Sequence, residues 1–130
     1  MKKVISVLAV SALFLTGCGV GSSSSATNLD AAEFQAKSSE QGVVVLDVRT
    51  SGEFTAGHIA NAINIDVEGM TFDRDIKSLD KDAPYAVYCQ SGRRSVIAVD
   101  KLKAAGFTNL FNLANGIQDW NAAGLPLANN

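Results

Sequence analysis

The fold of this chain is decided by residues 85–95, which read YAVYCQSGRRS. The first four residues are apolar or aromatic, which is typical of a strand buried on both faces of a sheet. Cys89 follows, then a polar loop that contains Gly92, and then apolar residues at helical spacing until Gly106. The stretch therefore predicts a strand, a loop and a helix, with Cys89 at the carboxyl end of the strand.

The rest of the chain alternates between the same two kinds of segment. Three further strands are predicted, at 43–46, 62–65 and 109–113. Four more helices are predicted, at 30–38, 51–56, 71–79 and 116–123. Candidate core residues of the helical segments are Met70, Ile76, Leu79 and Trp120. Short buried strands separated by helices indicate an α/β fold, in which helices cover both faces of a parallel sheet.

Cys89 is predicted to lie where such a fold binds ligands, beyond the carboxyl ends of parallel strands. Backbone N–H groups of the loop and of the next helix can converge on one point there, which favours an anion. A cysteine at that point has a lowered pKa, and Arg93 and Arg94 add positive charge. The resulting thiolate can attack a sulfane sulfur, and the same donors stabilise the persulfide anion that forms. A buried structural cysteine is the alternative, although the polar residues after Cys89 are poor core material.

The loop resembles the active loop of rhodanese domains, which often reads Cys-Arg-Ser-Gly-x-Arg-Ser. Other family segments follow in the same order: Asp47-Val48-Arg49, Glu53-Phe54, Gly57-His58-Ile59, Ala62-Ile63-Asn64-Ile65, Asn115-Gly116 through Trp120, and Gly124-Leu125-Pro126. The resemblance covers roughly 29–126 and implies a rhodanese-like fold, a persulfide and a sulfane-sulfur donor such as thiosulfate. It gives a catalytic Cys89 and a substrate-binding loop of Gln90, Ser91, Gly92, Arg93, Arg94 and Ser95.

Some positions depart from the family pattern. Gln90 stands where many relatives have arginine, so one cationic contact to thiosulfate is missing. Asn61 and Asn115 replace frequent glycines, and Asp66 replaces a frequent proline. These three lie in predicted turns and matter less to function.

Three charged or titratable side chains have weaker claims to a role. Asp47 and Arg49 are either catalytic or, as charges at strand ends usually are, braces for the loops. Asp47 is placed to orient Arg94 or the active loop. His58 is either an acid or base, or a turn residue that bonds to the backbone.

The amino-terminal segment has the features of an export signal. Two lysines precede an apolar run at 4–15, which has signal-peptide length and is too short for a comfortable membrane span. Leu15-Thr16-Gly17-Cys18 resembles the lipobox of bacterial lipoproteins, in which the cysteine is acylated. The alternative is an ordinary secretory signal, with Cys18 a bystander. We predict a signal peptide at 1–17, a lipidated Cys18 with a flexible tether at 18–28, and one domain at 29–130. The predicted location is the cell envelope, on a bacterial membrane and outside the cytoplasm.

Charge limits the partners. Loss of residues 1–17 removes two of the 11 basic residues and none of the 13 acidic ones, so the net charge of the remainder is −4. No basic stripe exists, which argues against nucleic-acid binding. The acidic residues at 73, 75, 80 and 82 lack ligand-like spacing, and no metal or cofactor is expected. We expect a monomer.

Three functions compete. The first is a sulfurtransferase that moves sulfur from a small sulfur-containing anion to a thiol or a cyanide-like acceptor. The second is a phosphatase, because cell-division-cycle dual-specificity phosphatases use a similar cradle with arginine six positions after cysteine. Here that position is Ser95, and Arg94 closes a shorter loop that suits sulfur better than phosphoryl oxygens. The third is a non-catalytic persulfide carrier or binding module, which needs the same cysteine and loop.

Overall fold

The computed structural model describes residues 26–130 and contains a five-stranded parallel sheet with the order β1-β5-β4-β2-β3. The strands are β1 (Thr27–Leu29), β2 (Val44–Asp47), β3 (Ile63–Asn64), β4 (Tyr85–Tyr88) and β5 (Leu110–Leu113). The helices are α1 (Ala31–Ser38), α2 (Ser51–Ala56), α3 (Phe72–Asp75), α4 (Arg93–Ala104) and α5 (Ile117–Ala122). The predicted signal peptide, Cys18 and the tether up to residue 25 lie outside the described residues.

Helices cover both faces of the sheet, as predicted. Alternate residues of a strand point to opposite faces, so β2 places Val45 in one core cluster and Leu46 in the other. The first cluster packs against α1 and α5 through Phe34 and Trp120. The second packs against α3 and α4. The central strands β2 and β4 are therefore fixed from both sides, and their carboxyl ends hold Asp47 and Cys89 in place.

The helices α1 and α2 begin in the same way. In α1 the side chain of Asp30 accepts a hydrogen bond from the Glu33 amide, and the Glu33 carboxylate accepts one from the Asp30 amide, each at 2.9 Å. This reciprocal pair is a capping box. In α2 the residues Thr50 and Glu53 form the same reciprocal pair. A cap of this kind contributes about 1 kcal/mol to helix stability.

Two sequence predictions are wrong in detail: the end of the tether and the burial of Met70. The tether was expected to run to residue 28, but Thr27–Leu29 is a strand that pairs with β5. This strand is short and mostly exposed, so it has no apolar pattern, and only its hydrogen bonds to β5 define it. Met70 is fully exposed in the turn before α3 rather than buried, whereas Ile76 and Trp120 are buried as predicted.

The helix predicted at 71–79 is divided. Its first part is α3, and its second part is a 3₁₀ turn at Ile76–Ser78. The turn still buries Ile76 against the α4 side of the sheet. Within residues 26–130, no helix combines the length and the apolar character that crossing a membrane requires.

Candidate active site

Cys89 lies directly after β4, and its side chain is buried beneath the loop that connects β4 to α4. The backbone N–H of Gly92 donates to the Cys89 Sγ at 3.1 Å. The hydroxyl of Ser95 lies 3.6 Å from the same sulfur and 3.2 Å from the Gly92 carbonyl oxygen. The thiol donates to the Ser95 oxygen, and the Ser95 hydroxyl donates to the Gly92 carbonyl oxygen. The sulfur is therefore in contact with an amide of the loop and with a hydroxyl from the first turn of α4.

These contacts decide the ionisation of the thiol. Burial raises the pKa of Cys89, but hydrogen bonds from the Ser95 hydroxyl and from the amides of Ser95, Ser91 and Gly92 outweigh it. The net result is a pKa below the ordinary value of a cysteine. The positive end of the α4 dipole acts in the same direction. The thiolate of Cys89 is therefore easier to form than that of an ordinary cysteine.

Two glycines let the loop take this shape. Gly92 has a φ of +94°, and a Cβ there would lie 2.0 Å from the Ala114 carbonyl oxygen. Gly116 has a φ of +69°, and a Cβ there would lie 2.4 Å from the Gln90 carbonyl oxygen. Any larger residue at either position would push the active loop away from the β5–α5 connection.

The carbonyl groups of the loop are held by α5. The amide of Ile117 donates to the Cys89 carbonyl oxygen at 2.9 Å, and the amide of Gln118 donates to the Gln90 carbonyl oxygen at 3.2 Å. The first amides of a helix have no partner within the helix, so they are free to make these bonds. These two bonds fix the start of the loop in the position from which the Gly92 amide donates to the sulfur. This segment was predicted only as a family motif, and the structure shows that it also supports the active loop.

Arg94 makes a two-point ion pair with Glu53. Its Nη1 donates to Glu53 Oε2 at 2.8 Å, and its Nη2 donates to Glu53 Oε1 at 2.9 Å. The hydrogen bonds from Arg94 are the main cause that lowers the pKa of Glu53 to about 2, with Thr50 assisting against the opposing effect of burial. Sequence reasoning did not name Glu53 as a site residue. The sequence feature that pointed to a role for Glu53 was its place in the family segment Glu53-Phe54.

Asp47 and Arg49 form a second ion pair, which is buried. Nη2 of Arg49 donates to Asp47 Oδ2 at 2.8 Å and to the Gly57 carbonyl oxygen at 2.7 Å. The expectation that Asp47 orients Arg94 is wrong, because Asp47 already accepts from the Arg49 side chain and Arg94 is bound to Glu53. The pair reaches the active loop only through Gln90, whose Oε1 lies 3.5 Å from Arg49 Nη1.

His58 has structural contacts. Its Nδ1 lies 2.9 Å from the Phe54 carbonyl oxygen, and its ring stacks on the Phe54 ring with centroids 3.8 Å apart. Its Nε2 lies 3.1 Å from Asn130 Oδ1, near the carboxyl terminus of the chain. The predicted bond to the backbone is therefore present, but His58 lies in an isolated antiparallel bridge with Ala128 rather than in a turn.

The side chains of the active loop line two separate depressions. Ser91, Arg93 and Arg94 line one of about 310 Å³, together with Glu68 and Ile97. We call this the Arg93 depression. Gln90 lines the other, together with Arg49, Glu53, Gly57 and other residues. Gln90 and Arg93, which the sequence predicts in one substrate-binding loop, therefore face different openings.

Residues 30–123 match the rhodanese-like domain, and the chain belongs to that family of sulfurtransferases. It is 36% identical over 81 residues to "Thiosulfate sulfurtransferase GlpE" of Pseudomonas fluorescens (strain SBW25), a match that covers 62% of this chain and 72% of the relative. It is 35% identical over 98 residues to "Senescence-associated protein DIN1" of Raphanus sativus, of which it covers 54%.

A solved structure supports the same assignment. The rhodanese-related protein of Thermoplasma volcanium superposes with a TM-score of 0.71 at 35% sequence identity. The match covers 80% of this chain and 99% of that one. The rhodanese-like fold expected from the sequence is confirmed.

Proposed function

We propose that this protein is a sulfurtransferase that carries sulfane sulfur on Cys89, from a small anionic donor such as thiosulfate to a thiol or to cyanide. The observation that carries the proposal is the set of hydrogen-bonding groups around the Cys89 sulfur, where the Gly92 amide lies at 3.1 Å and the Ser95 hydroxyl at 3.6 Å. The thiosulfate sulfurtransferases among the relatives support this choice of donor.

The first half of the reaction loads the enzyme. The Cys89 thiolate attacks the outer sulfur of thiosulfate, and a bond forms between the two sulfurs. The original sulfur–sulfur bond of thiosulfate breaks, and its electron pair leaves with sulfite. The persulfide retains a negative charge on its outer sulfur. The Gly92 amide already donates to the Cys89 sulfur, and the Ser91 amide and the Ser95 hydroxyl, which also lower the pKa of the thiol, are available to stabilise the persulfide charge.

The second half of the reaction removes the sulfur from Cys89. A thiolate or cyanide attacks the outer sulfur, the bond to Cys89 breaks, and the electron pair returns to the Cys89 sulfur. The same donors that stabilise the thiolate make it a good leaving group. No proton transfer to or from an enzyme side chain is required in either half.

The geometry of Arg94 disfavours a phosphatase. Both of its terminal nitrogens donate to Glu53, so the fork that would hold phosphoryl oxygens is occupied. The loop also has only four residues between Cys89 and Arg94.

Turnover of thiosulfate with cyanide tests the proposal. We expect Cys89→Ser to reduce thiocyanate formation to background, because a serine hydroxyl cannot form a persulfide. Cys18→Ser is the matched control, since it changes the other of the chain's two cysteines and is expected to keep activity in detergent. Turnover by Cys89→Ser would end the proposal. A persulfide without turnover would favour the sulfur carrier instead.

We also propose that Cys18 bears a lipid that anchors the protein to a bacterial membrane, facing outside the cytoplasm. The lipobox-like sequence before Cys18 supports this. The test is metabolic labelling with a fatty acid in cells that express the full chain. Wild type should carry the label and sediment with membranes, and Cys18→Ala should do neither. A membrane-bound, labelled Cys18→Ala protein would contradict the proposal.

A further inference from the structure

The outer face of α4 carries apolar side chains that nothing in residues 26–130 covers. Five large apolar side chains are exposed in this part of the chain, and only Val96 and Ile97, each 51% exposed, lie on a helix. Arg93 and Asp100 of the same helix are also exposed, and none of the ion pairs within residues 26–130 includes either of them. Two charges and two apolar groups on α4 are therefore available to a partner.

These four residues form one stripe along the helix. A helix turns by about 100° per residue, so positions 93, 96, 97 and 100 lie on the same side of α4. Along the helix axis the order of the side chains is positive, apolar, apolar and negative. A depression lies on each side of the stripe. Ile97 lines the Arg93 depression, and Val96 and Asp100 line one of about 120 Å³ beside β1 and β5.

The stripe is complementary to itself. Its midpoint lies between Val96 and Ile97, at equal distances along the chain from Arg93 and Asp100. When two copies of α4 pack antiparallel about a two-fold axis through this midpoint, each Arg93 faces the partner's Asp100, and each Val96 faces the partner's Ile97. A parallel arrangement would bring like charges together. A wholly acidic or wholly basic surface would match only one of the two charges.

We propose that two copies of this chain associate through the exposed stripe of α4 to form a two-fold symmetric dimer. The proposal replaces the monomer expected from the sequence, and it does not depend on the sulfurtransferase function. The apolar pair supplies the attraction, and the charges select the antiparallel orientation. Four side chains from each copy cover less than the roughly 800 Å² per partner of a standard interface, so the dimer should be weak and reversible.

Charge reversal tests the proposed pairing. The full chain is studied by sedimentation equilibrium in a density-matched detergent, at protein concentrations between about 1 μM and 1 mM. Wild type should change reversibly from the mass of a monomer to that of a dimer. Arg93→Asp and Asp100→Arg should each weaken association at least about tenfold, because both contacts between the copies become repulsive. These losses should shrink as ionic strength rises.

Two rescues distinguish this pairing from other kinds of association. The double variant Arg93→Asp/Asp100→Arg should dimerise as wild type does. An equimolar mixture of the two single variants should do the same, because one copy then has two acidic residues on its stripe and the other has two basic ones. A contact with a different surface, or association through a detergent micelle, would be restored by neither. The mixture also shows that both single variants are folded.

Lys77→Asp is the matched control. It makes the same change in net charge as Arg93→Asp, at an exposed residue of the 3₁₀ turn that forms no ion pair within residues 26–130. It should leave the dimer intact. A wild-type chain that stays monomeric over the whole range would overturn the proposal, and so would a dimer that survives the single reversals or that neither rescue restores. Each of these results would leave the sulfurtransferase function standing, because association is measured without turnover.

Discussion

The two arginine–carboxylate pairs near the active loop have the same chemistry but different surroundings. Asp47 and Arg49 are two residues apart in the chain, and their side chains are 0% and 4% exposed. Glu53 and Arg94 are 41 residues apart, and their side chains are 33% and 19% exposed. The first pair closes the end of one strand. The second connects α2 to the start of α4.

The difference predicts different roles. A buried charge that loses its partner is costly, so the Asp47–Arg49 pair should matter mainly to stability. A partly exposed pair contributes little to stability, so the Glu53–Arg94 pair should matter mainly through the position of the active loop. The following three predictions separate these roles.

The largest effect on stability is expected from Arg49→Met. This change leaves the Asp47 carboxylate buried without its ion-pair partner, although the Arg49 backbone amide still donates to it. The free energy of unfolding should fall by about 3–5 kcal/mol, as for other buried pairs that lose one member. Denaturant titration followed by circular dichroism measures it.

Arg74→Met is the control for this prediction. Arg74 also pairs with a neighbouring carboxylate, Asp75, but it is 75% exposed. Its loss should cost less than about 1 kcal/mol. Equal destabilisation by the two substitutions would mean that burial does not distinguish the pairs.

After the substitution of Cys89, the largest effect on activity is expected from Glu53→Gln. Loss of the charge weakens both hydrogen bonds from Arg94, so the loop is held less firmly. We expect kcat/KM with thiosulfate to fall about tenfold, which is roughly 1.4 kcal/mol, while the free energy of unfolding falls by less than about 1 kcal/mol.

Glu33→Gln provides a close control, because Glu33 occupies the same position in the capping box of α1 and forms no ion pair within residues 26–130. Each variant replaces the carboxylate of its capping box by an amide, so the two caps change alike, and Glu33→Gln should keep its activity. An equal loss of activity in both variants would show that helix capping, rather than the contact with Arg94, explains the result.

The smallest effect is a pH dependence of stability. Because Arg94 lowers the pKa of Glu53 from 4.5 to about 2, folding favours the ionised carboxylate. The stability from this group is therefore present above pH 4.5 and is lost as the pH falls towards 2. Glu53 is about one third exposed, so we expect less than about 1 kcal/mol.

A double-mutant cycle measures this dependence. The unfolding free energies of wild type and Glu53→Gln should converge as the pH falls from 4.5 towards 2. In an Arg94→Met background the convergence should be largely absent, because the main cause of the shift has been removed. A convergence of the same size with and without Arg94 would contradict the assigned cause.

The sequence predicted the central strands and the Cys89 loop because their patterns are local. Four consecutive apolar residues define β4, and the polar loop follows without a break. The sequence also predicted that amides of the loop face the sulfur, because the loop follows Cys89 directly in the chain. In contrast, β1 was missed because it depends on hydrogen bonds to β5, which lies far away in the chain.

The same limit applies to the active site. Asp47 and Arg49 are close together in the chain. Charges at strand ends usually brace loops, so the sequence already favoured a structural role for this pair. The partner of Arg94 is distant, and Asp47 was named in error because it also lies at a strand end near the loop. Only the packing of α2 beside the start of α4 brings Glu53 to Arg94. The support of the loop by α5 was not predicted, because it also depends on a contact between residues that are distant in the chain. Gly116 belongs to a predicted family segment at this contact.

The most direct test of the account is the intact mass of the full chain after incubation with thiosulfate. We expect a gain of one sulfur atom, which a reducing thiol removes and which the Cys89→Ser variant does not show. No gain in the wild-type protein, or a gain that persists in Cys89→Ser, would contradict the claim that Cys89 carries the sulfur.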